Sequence, residues 1–363
     1  MAGGVLKVLI LAGRLRWDDG GWPLPSLLDR LERRGVQLQV LCLSRGGELA
    51  ADTRAVEFPI LRKRWLRSFA ARRIWSDGRL EHPDLLHVVH DEMVDLALAL
   101  SETGRLPYVQ TVAGFGTVEQ GLRLSPRWCR RLVATSPDLV DELVGELGVP
   151  SARIALIPQG ILAQRDTFQE DRAWKVPVVG TGGTLEGVSG LMIFLEAAHL
   201  VVNAGYDVEF VIAGHASENI VLRHRARQLQ ISERVTVADY PIVGREFWSV
   251  LDIYCQPAVV ASTGRTLMQA LAHAVPSIAT NVKGLRALID SGENGLIVPP
   301  NDPIALQKAI VMLLDQPKEA RRLGRNALER AHTRFDLDIE ADRLADLYRE
   351  VAGSCENPKS SHP

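Results

Sequence analysis

The sequence predicts an α/β fold made of two doubly wound, Rossmann-like domains that face each other across a cleft. Short apolar runs alternate with helical patterns along almost the whole chain, which is typical of parallel sheets with crossover helices. The polar, aperiodic segment 163–175 interrupts this alternation, and the pattern then begins again. The length of 363 residues suffices for two domains of about 150 residues each.

In the first predicted domain, residues 1–165, we expect buried strands wherever a short apolar run occurs. These runs cover residues 5–11, 38–43, 85–89, 108–112, 132–134 and 154–157. Amphipathic spacing predicts helices between them, such as those over residues 25–34 and 137–147.

The second predicted domain spans residues 175–335 and repeats the same pattern. Its strands are expected over residues 176–181, 208–213, 235–238, 253–255 and 276–279. A further helix is expected between the last strand and residue 292, followed by helices over residues 303–315, 318–333 and 337–351. The helix within residues 336–352 is expected to pack back on the first domain. We expect the tail, residues 353–363, to be disordered because it has almost nothing to bury.

Composition excludes several functional classes. A formal net charge of −2 gives no overall reason to expect a nucleic-acid partner. The four cysteines lie far apart, which argues against a zinc site and predicts a reducing, cytoplasmic location. No run approaches the roughly 18 apolar residues that span a bilayer. The apolar start, residues 5–11, is interpreted as a buried strand rather than a signal peptide because Lys7 lies inside it.

Several short sequence motifs are informative when they are taken together. They include the glycines Gly20 and Gly21 before a helix, a strand ending in His90, the turn at 157–161 and the phrase at 292–300. Together they resemble the retaining, two-domain (GT-B) glycosyltransferases of family 4, also called group 1. The resemblance covers roughly residues 5–350. It implies a GT-B fold and transfer of a hexose from a nucleotide sugar.

The resemblance breaks at the polar positions that this family uses for donor binding and catalysis. Its members carry two glutamates, an arginine, a lysine and a histidine at these positions. The corresponding residues here are Ala261 and Gln269, Gly183, Ser189, and Ala113. The glycines and prolines that shape the backbone remain, so the sequence keeps the fold and replaces the polar site.

One loop offers a replacement for the lost cations. Arg265 follows small residues at the predicted start of a helix, and such a start is a natural anion site. The candidate residues for donor or phosphate binding are Thr263, Gly264, Arg265, Thr266, Gln269, Lys283 and His215. The alternative is an ordinary solvated arginine beside a helix capped by a box of Thr266 and Gln269, and this interpretation of Gln269 is favoured over ribose binding.

On the acceptor side, the candidate loop residues are Gly20, Gly21 and His90, although a packed structural role suits His90 better. No catalytic residue is assigned. No cofactor is expected beyond the nucleotide sugar as co-substrate. No metal is expected either, because no acidic pair stands where an ion bridging a diphosphate would need it.

Residues 61–79 carry seven basic side chains and one acid, interleaved with tryptophan and other apolar residues. This pattern suits an amphipathic helix on an anionic membrane, at the inner face of the envelope. The alternative is a solvated helix that packs its apolar side on the core.

Two functions remain open. The first is a divergent nucleotide-sugar-dependent glycosyltransferase that acts on an envelope glycan or a lipid-linked acceptor. The second is a catalytically silent relative, a possible pseudoenzyme, that serves as a binding or scaffolding partner of an active glycosyltransferase. Loss of several charge-assisted contacts, worth about 1.5–3 kcal/mol each, favours weak standard activity.

Overall fold

The computed structural model describes most of the chain, which divides into two compact units. The described residues are 5–13, 23–44, 52–63, 67, 70–112, 114–115, 122–162, 176–182, 189–214, 216–239 and 245–354. Unit 1 comprises Met1–Gly160 and Leu337–Pro363, and unit 2 comprises Ile161–Asp336.

Unit 1 contains a parallel sheet in the order β3-β2-β1-β4-β5-β6-β7. Its strands are β1 (Leu6–Leu11), β2 (Val36–Cys42), β3 (Ala55–Glu57), β4 (Leu85–Val88), β5 (Tyr108–Val112), β6 (Cys129–Ala134) and β7 (Ile154–Leu156). The central strands β4 and β5 are buried throughout, as expected of a sheet covered on both faces.

The helices of unit 1 that precede the join are α1 (Leu24–Arg33), α2 (Ala71–Trp75), α3 (Val94–Gly104) and α4 (Pro137–Gly145). Apolar residues of α2, α3 and α4 form one core on one face of the sheet, and those of α1 belong to a second core. The start of α4 shows how local sequence fixes an element. Ser136 accepts a hydrogen bond from the Leu139 N–H, and Pro137 occupies the first helical position.

Unit 2 contains a second parallel sheet in the order β10-β9-β8-β11-β12-β13. Its strands are β8 (Val178–Gly182), β9 (Glu209–Gly214), β10 (Val235–Asp239), β11 (Ile253–Gln256), β12 (Ser277–Thr280) and β13 (Leu296–Val298). Its helices are α5 (Ser189–Asn203), α6 (Ala216–Gln228), α7 (Arg245–Val250), α8 (Arg265–Ala272), α9 (Pro303–Asp315) and α10 (Pro317–Arg334). Apolar residues on both faces of this sheet belong to one large hydrophobic core.

The last helix, α11 (Leu337–Gly353), packs in unit 1 beside α1. Its buried face contributes Leu344 and Tyr348 to the core of that unit. At the rim, Arg34, the residue directly after α1, forms ion pairs with Asp338 at 3.1 Å and Asp342 at 2.6 Å.

The structure corrects three predictions of secondary structure. Residues 282–288, where a helix was predicted, form successive turns. The basic segment 61–79 is not one long helix, since its described residues form a 3-10 turn (Pro59–Arg62) and the short helix α2. The strands β3 and β13, each of three residues, were not predicted.

Candidate functional site

The candidate donor residues that the structure describes, all except His215, lie at the carboxyl edge of the sheet in unit 2. From β8 the chain proceeds to β9 on one side, whereas β11 pairs with β8 on the other side. Such a switch point opens a crevice at the carboxyl ends of the strands, which is where ligands bind in doubly wound sheets. The loop after β11 and the start of α8 occupy this position.

Gly264 sets the start of α8. Its backbone is left-handed, with φ of +70°, and it occupies the position just before the helix. A Cβ atom built on Gly264 would lie 2.4 Å from Leu288 Cδ1 and 3.0 Å from Leu285 Cδ2. This position therefore requires glycine both for its conformation and for its packing.

Gly264, the residue just before α8, has no side chain that could cap the helix. The predicted capping box of Thr266 and Gln269 is wrong. The helix begins at Arg265, so Thr266 is its second residue and Gln269 its fifth. The amide N–H groups of the first turn lie beside the partly buried Arg265, an arrangement that suits an anion.

Arg265 and Gln269 share one face of α8, because residues four apart on a helix are neighbours. Both are partly buried, whereas Thr266, Leu267 and Met268 are buried. The helix thus presents a cation and an amide, one turn apart, on its more open side.

A backbone contact brings Lys283 to the same loop. The Ser262 N–H donates to the Lys283 carbonyl at 3.1 Å, three residues before Arg265. The side chains of Lys283 and Thr263 are exposed, whereas Ala261 is partly buried. The structure therefore places Thr263, Arg265 and the backbone of Lys283 in one region.

A buried polar frame supports this edge. The Tyr254 hydroxyl lies within hydrogen-bond distance of the Gly182 carbonyl, at 2.9 Å, and of Gln256 Oε1. The Thr280 hydroxyl donates to the Ala258 carbonyl at 2.6 Å. Thr181 is fully buried, and its hydroxyl has no hydrogen-bond partner among the described residues. These bonds fix the ends of β8, β11 and β12 relative to one another.

The glycines around the end of β8 have a packing role. A Cβ atom at Gly190 would lie 2.4 Å from the Pro257 carbonyl oxygen, and one at Gly182 would lie 2.9 Å from Ala213 Cβ. Close backbone approach thus explains two glycines of this stretch without a cofactor.

The turn at 292–295 is also held by internal contacts. The Asp290 N–H donates to Asn294 Oδ1 at 2.7 Å, and Asn294 Nδ2 donates to the Leu288 carbonyl at 3.1 Å. Arg322 of α10 donates to the Gly292 carbonyl at 2.6 Å. These contacts hold the turn in place without any contribution from the replaced donor-site residues.

In unit 1, His90 lies at the carboxyl end of β4, where its Nδ1 accepts a hydrogen bond from the Gly13 N–H at 2.9 Å. His87 is a structural histidine, since its ring nitrogens lie 2.6 Å from the Tyr348 hydroxyl and 2.7 Å from the Thr111 hydroxyl. Burial lowers the pKa of His87 to about 3, so the ring is neutral. Sequence reasoning missed the partner Tyr348, because it lies on α11, far along the chain.

Several predicted site residues lie outside the described part of the chain. These are Gly20, Gly21, Ala113, Gly183 and His215. Ser189 is described only through its backbone, as the first residue of α5. The structure therefore does not test their proximity to Arg265.

The basic segment 61–79 is anchored in unit 1. Arg67 is buried, donates to the carbonyls of Leu61, at 2.9 Å, and Glu92, and pairs with the Glu92 carboxylate at 3.3 Å. Leu61 and Ile74 are fully buried in the core. Among the described residues, the apolar side of this segment faces the protein.

The described residues contain neither a membrane-spanning helix nor a metal-binding group of side chains. No helix there is long and apolar enough to cross a membrane. No group of three or more His, Cys, Asp or Glu side chains there is placed to hold a metal ion.

Comparison with solved structures identifies the fold. The sucrose-phosphate synthase of Thermosynechococcus elongatus superposes with a TM-score of 0.78 at 17% identity, covering 96% of this chain and all of that one. HepE of Anabaena, solved with UDP and glucose, superposes with a TM-score of 0.77 at 17% identity, covering 95% of this chain and all of that one. The fold is that of the two-domain GT-B glycosyltransferases.

Sequence comparison identifies the family. The model "Glycosyltransferase Family 4" matches residues 26–165, and the model "Glycosyl transferases group 1" matches residues 164–330. The chain belongs to the group 1 glycosyltransferases of family 4.

Two curated relatives align with parts of this chain. The D-inositol 3-phosphate glycosyltransferase of Corynebacterium glutamicum is 24% identical over 74% of this chain and 72% of its own length. The alpha-D-kanosaminyltransferase of Streptomyces kanamyceticus is 27% identical over 48% of this chain. That match spans only 46% of the relative.

Proposed function

We propose that the protein is a nucleotide-sugar-dependent hexosyltransferase of the retaining type, which holds the donor diphosphate at the start of α8. The observation that carries the proposal is the first turn of α8, which begins with Arg265 directly after the left-handed Gly264, at the switch point of a group 1 glycosyltransferase fold. Membership of this family supports the reaction class, and the local geometry supports the place.

The chemistry requires stabilisation of negative charge on the leaving diphosphate as the glycosidic bond breaks. The first-turn N–H groups and the helix dipole of α8 supply part of it. Arg265 adds a guanidinium that can contact two phosphate oxygens at once. Lys283, on the loop joined to Ser262, adds a second cation to the same region.

Gln269 is proposed to contact the ribose of the nucleotide. It lies one turn after Arg265 on the same face of α8. An amide offers one acceptor and two donors. Because the amide is uncharged, its hydrogen bonds to the ribose are weaker than the charge-assisted bonds of a carboxylate. We therefore expect weaker donor binding than in a relative that carries both glutamates.

The proposed acceptor is an envelope glycan or a lipid-linked sugar, reached from the side of unit 1 that carries His90. The carboxyl edge of that sheet bears His90, whose ring is oriented by the Gly13 N–H. The proposed location is the cytoplasm, with peripheral contact at the inner face of the membrane. The exposed Arg72 and Arg73 of the segment 61–79 support this contact.

A second candidate is a catalytically silent subunit that partners an active glycosyltransferase. Ala261 favours it, because a methyl group stands where the family resemblance implies a carboxylate on the donor sugar. The two candidates differ in one observable, the release of nucleoside diphosphate from a sugar donor.

The test is a donor-turnover assay with UDP-, GDP- and ADP-hexoses, with and without crude membrane glycolipid as acceptor. We expect nucleoside diphosphate release from one donor. Arg265→Ala should lower kcat/KM about ten- to hundred-fold, the value of a lost charge-assisted contact. Arg227→Ala on α6, an exposed arginine of the same unit, is the matched control.

The anomeric configuration of the transferred sugar, read by NMR, tests the retaining assignment. Inversion would contradict it while leaving transfer intact. Absence of release from every donor, in protein that unfolds cooperatively, would overturn the transferase proposal and favour the silent subunit.

A further inference from the structure

Two basic segments, far apart in the sequence, meet at one edge of unit 1. A Cβ atom built on Gly104 would lie 3.1 Å from Trp75 Cζ2, so the ends of α2 and α3 are in contact. Arg105 follows α3 directly and is exposed. Arg72 and Arg73 on α2 are exposed as well.

The second segment, residues 122–131, joins this edge through β5. The Leu86 N–H donates to the Pro107 carbonyl at 3.0 Å, and the Tyr108 N–H donates to the Trp128 carbonyl at 2.9 Å. The start of β5 therefore lies between the end of α3 and Trp128. All these groups lie at the amino-terminal ends of the strands, opposite the carboxyl edge that bears His90.

The arginines at this edge outnumber the acids available to neutralise them. Three carboxylates are already paired: Asp77 with Arg79, Asp95 with Arg123, and Glu350 with Arg131. Five exposed arginines have no carboxylate within ion-pair distance among the described residues: Arg72, Arg73, Arg105, Arg127 and Arg130. Among the described residues, Asp84 before β4 and Glu102 on α3 are exposed acids of this edge, fewer than the five arginines, so the local charge is positive.

Two tryptophans complete this surface. The guanidinium of Arg127 lies 4.7 Å from the ring centroid of Trp128, which is partly buried. The partly buried Trp75 stacks on His82 with ring centroids 5.3 Å apart. Amphipathic rings beside arginines are typical of protein surfaces at a polar-apolar boundary. We name the five arginines and two tryptophans the basic edge.

We infer that the basic edge binds the surface of an anionic lipid bilayer. Contact is electrostatic rather than by insertion, because Leu61 and Ile74 of the basic segment are already buried in the core. A locally positive edge suits an array of lipid phosphates, to which each arginine adds about fivefold in affinity. The net charge of −2 gives no long-range attraction for a free polyanion such as nucleic acid.

The experiment is sedimentation of the full chain with phosphatidylcholine vesicles, either pure or containing about one-third phosphatidylserine. We expect binding only to the anionic vesicles, weakened by salt because the charges are exposed. The triple variant Arg105→Asn, Arg127→Gln and Arg130→Gln should bind about 100-fold more weakly. Asn is chosen at 105 because the backbone there is left-handed, with φ of 56°.

The matched control carries Arg33→Gln, Arg227→Gln and Arg343→Gln, which remove the same charge from exposed positions outside the basic edge. It should bind within about twofold of the unaltered protein. Equal loss of vesicle binding in both triple variants would overturn the inference. Equal binding of the unaltered protein to neutral and anionic vesicles would overturn it as well. Binding of a single-stranded oligonucleotide through the same arginines, without vesicle binding, would also overturn it. This inference rests on the peripheral membrane contact of the proposed function. No nucleotide sugar is used, so failure here would remove that contact and leave the proposed sugar transfer untouched.

Discussion

The start of α8 can be tested by adding one methyl group. Gly264→Ala places a Cβ atom in a left-handed backbone, at a cost of about 1–2 kcal/mol for an L-residue. The same atom would lie 2.4 Å from Leu288 Cδ1 and 3.0 Å from Leu285 Cδ2, and both leucines are buried. Overpacking of this kind costs about 1–3 kcal/mol. We expect a total loss of about 3 kcal/mol in the free energy of unfolding.

Gly292→Ala is the matched control in the same unit. Its φ is +84°, but a Cβ atom there would meet nothing within 4 Å. It should therefore cost only the backbone strain, about 1 kcal/mol. The assay is urea-induced unfolding of both variants followed by circular dichroism. Equal destabilisation by the two substitutions would refute the packing of Gly264 against Leu288, and with it the described start of α8.

Two further predictions concern unit 1. Because the folded chain keeps His87 neutral down to about pH 3 whereas its ordinary pKa is 6.5, stability should fall as the pH falls through that window. His87→Gln should reduce this slope by about 1.4 kcal/mol per pH unit, and the exposed His82→Gln should leave it unchanged. Arg67→Met should lower the stability of unit 1 by about 2–4 kcal/mol, because two interior carbonyls lose their donor. An exposed counterpart, Arg72→Met, should cost less than about 0.5 kcal/mol; a similar loss in both would mean that Arg67 is solvated.

Much of the fold was predictable because parallel strands buried on both faces appear as apolar runs. The runs at 5–11 and 108–112 correspond to β1 and β5 within one residue. The family and the GT-B fold were also predicted correctly, because backbone-shaping glycines and prolines remain. The edge strand β3 escaped prediction, since Ala55–Glu57 is short and ends in a glutamate. The equally short β7 was predicted, because it lies within the apolar run 154–157.

The site was less predictable, because its geometry depends on contacts between distant residues. Thr266 and Gln269 have the spacing of a capping box, yet the helix begins earlier, where Gly264 packs on Leu285 and Leu288. The basic edge likewise depends on the contact between Trp75 and Gly104. Neither contact leaves a local signal in the sequence.

The most direct test of a donor site at α8 is isothermal titration calorimetry of the purified protein with UDP, GDP and ADP. We predict micromolar binding of one nucleotide, weakened at least about tenfold by Arg265→Ala and unchanged by Arg227→Ala. No binding of any nucleotide up to millimolar concentration, or equal binding by the Arg265→Ala variant, would contradict the proposed site.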